Sequence, residues 1–135
     1  MICVETNPES VQYGRENLLL FSPNVTDEKY KFVNRVIMNN IINFTRMFTD
    51  REKPLMLIVN PPRAGMHKKI TMAICKNENI KYIAYITCDL KRSFHVLSLL
   101  LKQGNFKIRA TQVIDMFPRT DKWETIIFLE KIIVP

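Results

Sequence analysis

Apolar and polar positions alternate along the chain in segments that predict strands and helices in turn. Short apolar runs predict four strands, at Ile2–Glu5, Tyr30–Val33, Leu55–Val59 and Tyr82–Thr87. Apolar residues at helical spacing predict helices at Pro8–Phe21, Val36–Phe48, Met66–Cys75 and Leu90–Leu101. Two late strands are predicted at Phe106–Met116 and Trp123–Val134. Leu55–Val59 is apolar at every position and is therefore expected to be a buried strand.

The order of these segments predicts an α/β fold. Strands that alternate with helices indicate a largely parallel sheet, and the last two strands, with only a loop between them, indicate an antiparallel pair at its edge. Asn7 is the predicted cap of the first helix, with Pro8 in its first turn. In such sheets ligands bind beyond the carboxyl ends of the strands. The chemically informative positions are therefore expected at Glu5, Asn60, Cys88 and in the segment before Trp123.

Size and composition exclude several classes of protein. With 135 residues the chain has the size of one domain. Its 47% hydrophobic and 24% charged residues are typical of a folded protein rather than a disordered tail. Apolar runs such as Leu55–Val59 are too short to cross a bilayer, and the first residues are typical of a strand rather than a signal peptide. We therefore expect no membrane partner and a cytoplasmic protein, with a mitochondrial or nuclear location as the alternative.

The net charge and the rarer residue types indicate which partners and ligands are expected. Twenty Lys and Arg against thirteen Asp and Glu give a net charge of +7, which favours a polyanionic partner such as nucleic acid. Three cysteines without CxxC spacing predict a reducing compartment, no disulfide framework and no zinc site. His67 and His95 lack metal-ligand spacing, so no metal site is expected. The three glycines are far apart and form no phosphate-binding loop.

Each polar residue at a strand end has an ordinary structural interpretation beside a functional one. Glu5 could accept hydrogen bonds from ribose hydroxyls, or be a solvated acid. Asn60 and Arg63 could present an amide and a cation to a ligand, or belong to a rigid proline-rich turn. Cys88 could be an exposed nucleophile, or a small buried residue. Glu124 could be a general base, or a surface acid at a strand edge.

Four stretches together resemble the RNA uracil-5-methyltransferase family, which makes 5-methyluridine in tRNA or rRNA with S-adenosylmethionine. They are VETNPESVQYGREN at 4–17, NPPRAGMHKK at 60–69, YIAYITCDL at 82–90 and VIDMFPRTDKWETIIFLEK at 113–131. Their order and spacing agree with the family pattern, and together they are specific. The resemblance implies a Rossmann-like class I methyltransferase fold. It assigns residues 1–135 to the C-terminal portion of the methyltransferase catalytic domain.

The resemblance also implies roles for single residues. In the family, a thiolate adds to carbon 6 of uracil, which makes carbon 5 nucleophilic enough to take the methyl group, and a base then removes the carbon 5 proton. Cys88 stands at the position of the nucleophile and Glu124 at that of the base. Glu5 and Asn60 stand where the family holds S-adenosylmethionine. Contacts with RNA, tRNA being favoured over rRNA, are expected at Arg63, Arg119 and Lys122.

Several positions depart from the family pattern. Asn60 replaces an aspartate, Asp89-Leu90 replaces Asn-Pro, and Lys122 replaces a histidine. No acid that would face the adenine is found around residues 34–38. The central first strand and glycine-rich loop of the family would lie before Met1.

Without that strand the sheet is expected to be incomplete, with unpaired backbone groups at two strand edges. A missing N-terminal region or a second chain would complete it, and the chain alone is expected to bind cofactor weakly or not at all. Two functions therefore stay open. One is an RNA uracil-5-methyltransferase, and the other is a degenerate, non-catalytic relative that binds RNA or has a structural role.

Overall fold

The computed structural model describes residues 1–24, 30–34 and 54–132. The predicted helix at Val36–Phe48 lies outside the described residues, as do the last residues of the strand predicted to reach Val134. The chain divides into two compact units, Met1–Asn40 and Ile41–Pro135, and each is described by itself. None of the described helices is long and apolar enough to cross a membrane.

The first unit contains a parallel pair of short strands and one helix. Strands β1 (Ile2–Glu5) and β2 (Lys31–Asn34) pair from Ile2↔Lys31 to Glu5↔Asn34, and helix α1 (Pro8–Phe21) connects them along the chain. The Asn7 side chain accepts hydrogen bonds from the backbone N–H groups of Glu9 and Ser10, so the predicted cap is confirmed. β2 begins one residue later than predicted.

Gly14 explains how closely α1 packs on β2 in this unit. A Cβ atom at Gly14 would lie 2.8 Å from a ring carbon of Phe32. Any larger residue at this position would therefore push the helix away from β2.

The second unit is built on a four-stranded sheet. Its strands are β3 (Leu55–Val59), β4 (Ile80–Thr87), β5 (Phe106–Ile114) and β6 (Glu124–Lys131), in the spatial order β3-β4-β6-β5. β3 is parallel to β4, and β6 is antiparallel to both β4 and β5. β3, β4 and β5 therefore run in one direction and β6 alone is reversed, which confirms the predicted parallel sheet with an antiparallel C-terminal pair. β6 lies inside the sheet, and β5 forms the edge.

Two helices connect the strands of the second unit. α2 (Lys68–Lys76) begins two residues later than predicted, because the His67 side chain accepts a hydrogen bond from Lys69 N and thereby caps the helix. α3 (Leu90–Gln103) begins after Asp89 and ends where Gly104 N donates to the carbonyls of Leu99 and Leu100.

The core lies between the helices and one face of the sheet. Tyr85 of β4 is fully buried, and its hydroxyl reaches Ser93 of α3. The same face is formed by the paired apolar positions of β4 and β6, and α3 and α2 contribute apolar side chains from the other side. The buried members of this core are Ile74, Ile83, Val96, Leu100, Ile127 and Leu129.

The opposite face of the sheet is exposed, which corrects one prediction. Leu55–Val59 was expected to be a buried strand, but Met56 is 57% exposed and Ile58 is 65% exposed. Both helices pack on the other face, and β3 pairs with β4 alone among the described strands. Met56 pairs with Tyr82, and Ile58 and Phe128 both pair with Ala84, which lies between them. The exposed side chains Met56, Ile58, Tyr82 and Phe128 are together called the open face.

Candidate active site

Apart from Glu5, which belongs to the first unit, the positions predicted from strand ends lie at one end of the four-stranded sheet. β3 and β4 are parallel, so Asn60 and Cys88 follow strands that finish at the same end. β6 runs the other way and therefore starts there, with Glu124 as its first residue. The loop of residues 115–123 between β5 and β6 also lies at this end, since Ile114 pairs with Glu124. We call this region the carboxyl end of the sheet.

The strand register brings the positions of Cys88 and Glu124 to the same level. The last pair of the β4–β6 ladder is Thr87↔Thr125. Continued by one residue on each strand, this antiparallel register would bring the positions of Cys88, just after β4, and Glu124 opposite each other. Strand pairing therefore brings near each other two positions that are 36 residues apart in the sequence.

Cys88 lies in the turn between β4 and α3. Its side chain is exposed and makes no hydrogen bond among the described residues. The next residue, Asp89, caps α3: its carboxylate accepts a hydrogen bond from Arg92 N at 3.0 Å and pairs with Arg92 Nε at 3.2 Å. The thiol is thus accessible to a ligand at the carboxyl end of the sheet, as a nucleophile must be.

The segment after β3 forms a tight loop beside the start of α3. Gly65 N donates to the carbonyl of Pro62, and Gly65 has a φ of 79°, a left-handed conformation that glycine adopts easily. A Cβ atom at Gly65 would lie 3.9 Å from the Arg92 carbonyl, so this loop lies against the first turn of α3. Asn60 and Arg63 are exposed in it.

The loop of residues 115–123 is held by its own hydrogen bonds. Phe117 O accepts hydrogen bonds from both the backbone N–H and the hydroxyl of Thr120, and Lys122 N donates to that hydroxyl oxygen. Arg119 is exposed, with a φ of 69°. The Lys122 ammonium lies 3.3 Å from the carboxylate of Asp121 at the surface. Both cations are available at the carboxyl end of the sheet.

Glu5 belongs to the first unit, at the carboxyl end of β1. Its Oε1 atom accepts hydrogen bonds from the N–H groups of Asn7 and Thr6 and from the Thr6 hydroxyl. These bonds, that from Asn7 foremost, lower the pKa of the Glu5 carboxyl. Oε2 makes no hydrogen bond among the described residues and is free to accept one from a ligand.

The sequence analysis missed three residues, one that holds the loop after β1 and two that lie beneath the Cys88 turn. Asn34 ends β2, and its side-chain NH₂ donates to the carbonyl of Thr6 at 3.0 Å, which holds the loop after β1. Thr87 and Ser93 form a buried hydrogen bond beneath the Cys88 turn. The position of Asn34 at a strand end was a usable signal, whereas nothing in the sequence pattern pairs Thr87 with Ser93.

Glu5 in the first unit and Asn60 in the second each expose polar atoms that a ligand could use. A carboxylate oxygen on Glu5 and an exposed amide on Asn60 can both bond to hydroxyl or amino groups. In residues 1–24, 30–34 and 54–132 there is no group of three or more His, Cys, Asp or Glu that could hold a metal ion.

Comparison with known proteins assigns the chain to a family. The model of the tRNA (uracil-5-)-methyltransferase family matches residues 37–132, which is most of the chain. The chain belongs to this family. Its members are RNA methyltransferases that depend on S-adenosylmethionine, as the sequence resemblance implied.

Individual relatives of the uracil-5-methyltransferase family show how much of such an enzyme the chain covers. An RNA methyltransferase of Chlamydia trachomatis is 27% identical over 98% of this chain, but over only 31% of its own length. The mouse tRNA (uracil-5-)-methyltransferase homolog A is 31% identical over 57% of this chain and 14% of its own length. The chain therefore spans a third or less of these relatives.

Solved structures support the methyltransferase fold. The tRNA (uracil-54, C5)-methyltransferase of Pyrococcus abyssi, determined with S-adenosyl-L-homocysteine, superposes with a TM-score of 0.67 and 22% identity. The match covers 96% of this chain and 28% of that one. A likeness at this identity concerns the fold, and it confirms the predicted Rossmann-like class I methyltransferase architecture.

Proposed function

We propose that residues 1–135 are the C-terminal portion of the catalytic domain of an enzyme that methylates carbon 5 of a uridine in RNA, with tRNA favoured over rRNA. The observation that supports the proposal is the β4–β6 register, whose last pair, Thr87↔Thr125, directly adjoins the exposed Cys88 on one strand and Glu124 on the other. Family membership supports the reaction class.

Cys88 and Glu124 act at different positions of the pyrimidine ring, Cys88 as the nucleophile at carbon 6 and Glu124 as the base at carbon 5. The Cys88 thiolate forms a bond to carbon 6, and the electron pair of the 5,6 double bond moves to carbon 5, which becomes the nucleophile. S-adenosylmethionine, when bound, supplies the methyl group. Glu124 then takes the proton from carbon 5, the double bond re-forms and the thiolate leaves. The exposure of Cys88 supports the first step, which needs a thiol that a base can reach.

Glu5 and Asn60 are the residues proposed to hold the cofactor. The unbonded Oε2 atom of Glu5 suits a ribose hydroxyl, and the lowered pKa of this carboxyl keeps it an acceptor at neutral pH. Asn60 offers an amide at the carboxyl end of the sheet, where ligands of parallel sheets bind.

Three exposed cations are proposed to meet the RNA backbone. Arg63 lies in the loop after β3, and Arg119 and Lys122 lie in the loop between β5 and β6. Both loops lie at the same end of the sheet as Cys88. A uridine must leave its stack to be modified, and phosphate contacts on either side would hold the strand while it does.

A cytoplasmic location, with mitochondrial or nuclear as the alternative, remains a prediction.

The sheet is proposed to be completed by a further polypeptide segment, from a missing N-terminal region or a second chain. Among the described strands, β3 has a partner on one side only, and the open face beside it exposes Met56 and Ile58. The relatives contain more than twice the matched length. A strand and helix from such a segment would pair with β3 and cover these apolar side chains.

A degenerate, non-catalytic relative is the second candidate. The observation in its favour is that Asp89, in place of the family's asparagine, is used as a helix cap and as a partner of Arg92. Asn60 also lacks the charge of the family's aspartate. Such a protein would keep the fold and the basic surface without turnover.

A covalent trap separates the two candidates. The chain, alone and together with the N-terminal portion of the Chlamydia trachomatis relative, is incubated with S-adenosylmethionine and RNA that carries 5-fluorouridine. Fluorine cannot leave carbon 5 as a proton does, so an active enzyme forms an adduct that survives a denaturing gel. The adduct should disappear in Cys88→Ala, persist in Glu124→Gln and be unaffected by the control Cys3→Ala. Absence of an adduct under both conditions would support the degenerate relative and overturn the proposal.

A further inference from the structure

A cluster of three buried hydroxyls lies beneath the turn that carries Cys88. Thr87 Oγ1 and Ser93 Oγ are 2.7 Å apart, and the Tyr85 hydroxyl donates to Ser93 Oγ at 3.4 Å. The exposed fractions of these residues are 7% for Thr87, 2% for Ser93 and 0% for Tyr85. Hydrogen bonds shielded from water in this way compete with no solvent and hold their groups firmly. Tyr85, Thr87 and Ser93 are called the hydroxyl cluster.

The hydroxyl cluster is bonded to the backbone on both sides of Cys88. Thr87 Oγ1 accepts a hydrogen bond from Asp89 N at 3.1 Å, which closes a tight turn around Cys88. The Asp89 carboxylate is itself bonded to Arg92 in the first turn of α3. Both neighbours of Cys88 are therefore bonded to α3: Thr87 through Ser93, and Asp89 through Arg92. Cys88 is the only residue of the turn whose side chain is left exposed and unbonded among the described residues.

We propose that Thr87 and Ser93 are positioning residues for Cys88. Both side chains are buried, so the role proposed for them is indirect, through the turn, and not a contact with the RNA base or the cofactor. Their hydrogen bonds fix the backbone of the turn, and a fixed turn keeps the thiol in one place rather than letting it move with a loose loop. A displacement of about 1 Å at a reacting atom can slow a reaction about 100-fold. This inference rests on the proposed function, because it assigns the turn a role in the same reaction.

Thr87 allows a matched pair of substitutions. Thr87→Val keeps the shape of the side chain and removes the hydroxyl, whereas Thr87→Ser keeps the hydroxyl and removes only a methyl group. Ser93→Ala tests the other member of the bond, and Ser98→Ala, on the same helix and outside the hydroxyl cluster, is the control. Two measurements are made on each variant: the exchange rate of the Asp89 amide, and the saturation kinetics of adduct formation with 5-fluorouridine RNA.

The amide measurement reports the turn without any catalysis. In Thr87→Val the Asp89 N–H loses its acceptor, and its exchange should become about tenfold faster. Thr87→Ser and Ser98→Ala should exchange like the wild type. Unchanged exchange in Thr87→Val would overturn the inference, because the hydroxyl would then not hold the turn.

The adduct measurement separates positioning from stability or binding. Thr87→Val and Ser93→Ala should lower the maximal rate of adduct formation about 10- to 100-fold, with no change in the RNA concentration that gives half the maximal rate. Thr87→Ser should restore the rate. A maximal rate equal to that of the wild type in Thr87→Val would overturn the positioning role. If the wild type itself forms no adduct, the proposed function is overturned. The hold of the Thr87 hydroxyl on the turn is still tested in that case, because Asp89 exchange should be faster in Thr87→Val than in the wild type.

Discussion

At the scale of single residues, two threonines that face each other across β4 and β6 differ in how their hydroxyls are satisfied. Thr87 Oγ1 has two hydrogen-bond partners, Ser93 and Asp89 N. Thr125 is 1% exposed, and its Oγ1 atom has no partner among the described residues. A buried hydroxyl without a partner has lost its hydrogen bonds to water and has formed none in the protein, so it destabilises the folded chain.

Thr125→Val is therefore expected to stabilise the protein. Valine has the shape of threonine without the hydroxyl, so the substitution removes the unsatisfied group and should raise the free energy of unfolding by about 1 kcal/mol. Thr87→Val, which leaves Asp89 N and Ser93 unsatisfied, should lower it by about 1–2 kcal/mol. Urea unfolding of both variants measures the difference. A loss of stability in Thr125→Val would mean that this hydroxyl has a partner after all.

At the scale of helices and strands, the sequence predicted most elements but not their pairing. Hydrophobic periodicity placed β3 without error, and it placed β4, α2 and α3 to within about two residues. The deviations have local causes. At α2, for example, the predicted segment begins at the buried Met66, whereas the helix begins after the next residue, His67, whose side chain caps it. The exposure of Met56 and Ile58 could not be predicted, because it depends on which strands and helices lie next to β3.

The C-terminal end of α2 depends on a single lysine of β6. Lys131 Nζ donates to the carbonyls of Cys75 and Asn77 at 2.9 and 2.8 Å, and lies 5.1 Å from the centre of the Phe106 ring. Burial lowers the pKa of Lys131, which shows that the ammonium is partly removed from water. A cation at this position satisfies carbonyls that the helix leaves unbonded.

Lys131→Met should therefore loosen α2 from the sheet. Methionine keeps most of the apolar stem but donates no hydrogen bond, so the carbonyls of Cys75 and Asn77 lose their partner. The free energy of unfolding should fall by about 1–3 kcal/mol, measured by thermal or urea unfolding. Lys107→Met, an exposed lysine on β5, is the control and should change stability by less than about 0.5 kcal/mol. Equal effects of the two substitutions would refute the capping role of Lys131.

At the scale of the whole molecule, the location of the site followed from a general rule, and its chemistry followed from resemblance. Ligands of parallel sheets bind beyond the strand ends, which selected Asn60 and Cys88 from the sequence alone. That Cys88 and Glu124 adjoin the same end of the β4–β6 ladder depends on the reversed direction of β6 and on the register Thr87↔Thr125, which no local pattern encodes. The hydroxyl cluster was unpredictable for the same reason, since it joins a strand to a helix in space.

The net charge of +7 leads to a prediction about RNA binding. If Arg63, Arg119 and Lys122 each neutralise one phosphate of single-stranded RNA, affinity should fall about 20-fold between 50 and 200 mM salt. Arg63→Ala should weaken binding and reduce the slope of log affinity against log salt by about 0.7. Lys76→Ala, an exposed lysine at the opposite end of the sheet, should leave the slope nearly unchanged. Fluorescence anisotropy with labelled RNA measures both, and equal slopes for the two variants would exclude Arg63 from the interface.

The place of β6 also bears on how the chain is synthesised. β6 comes last in sequence among the described strands, yet it lies between β4 and β5. The ribosome therefore releases both flanking strands before the segment that joins them, and among the described strands β5 has no partner until residues 124–131 have been synthesised. A premature stop codon ahead of residue 124 would remove the middle of this sheet rather than its margin, together with Glu124.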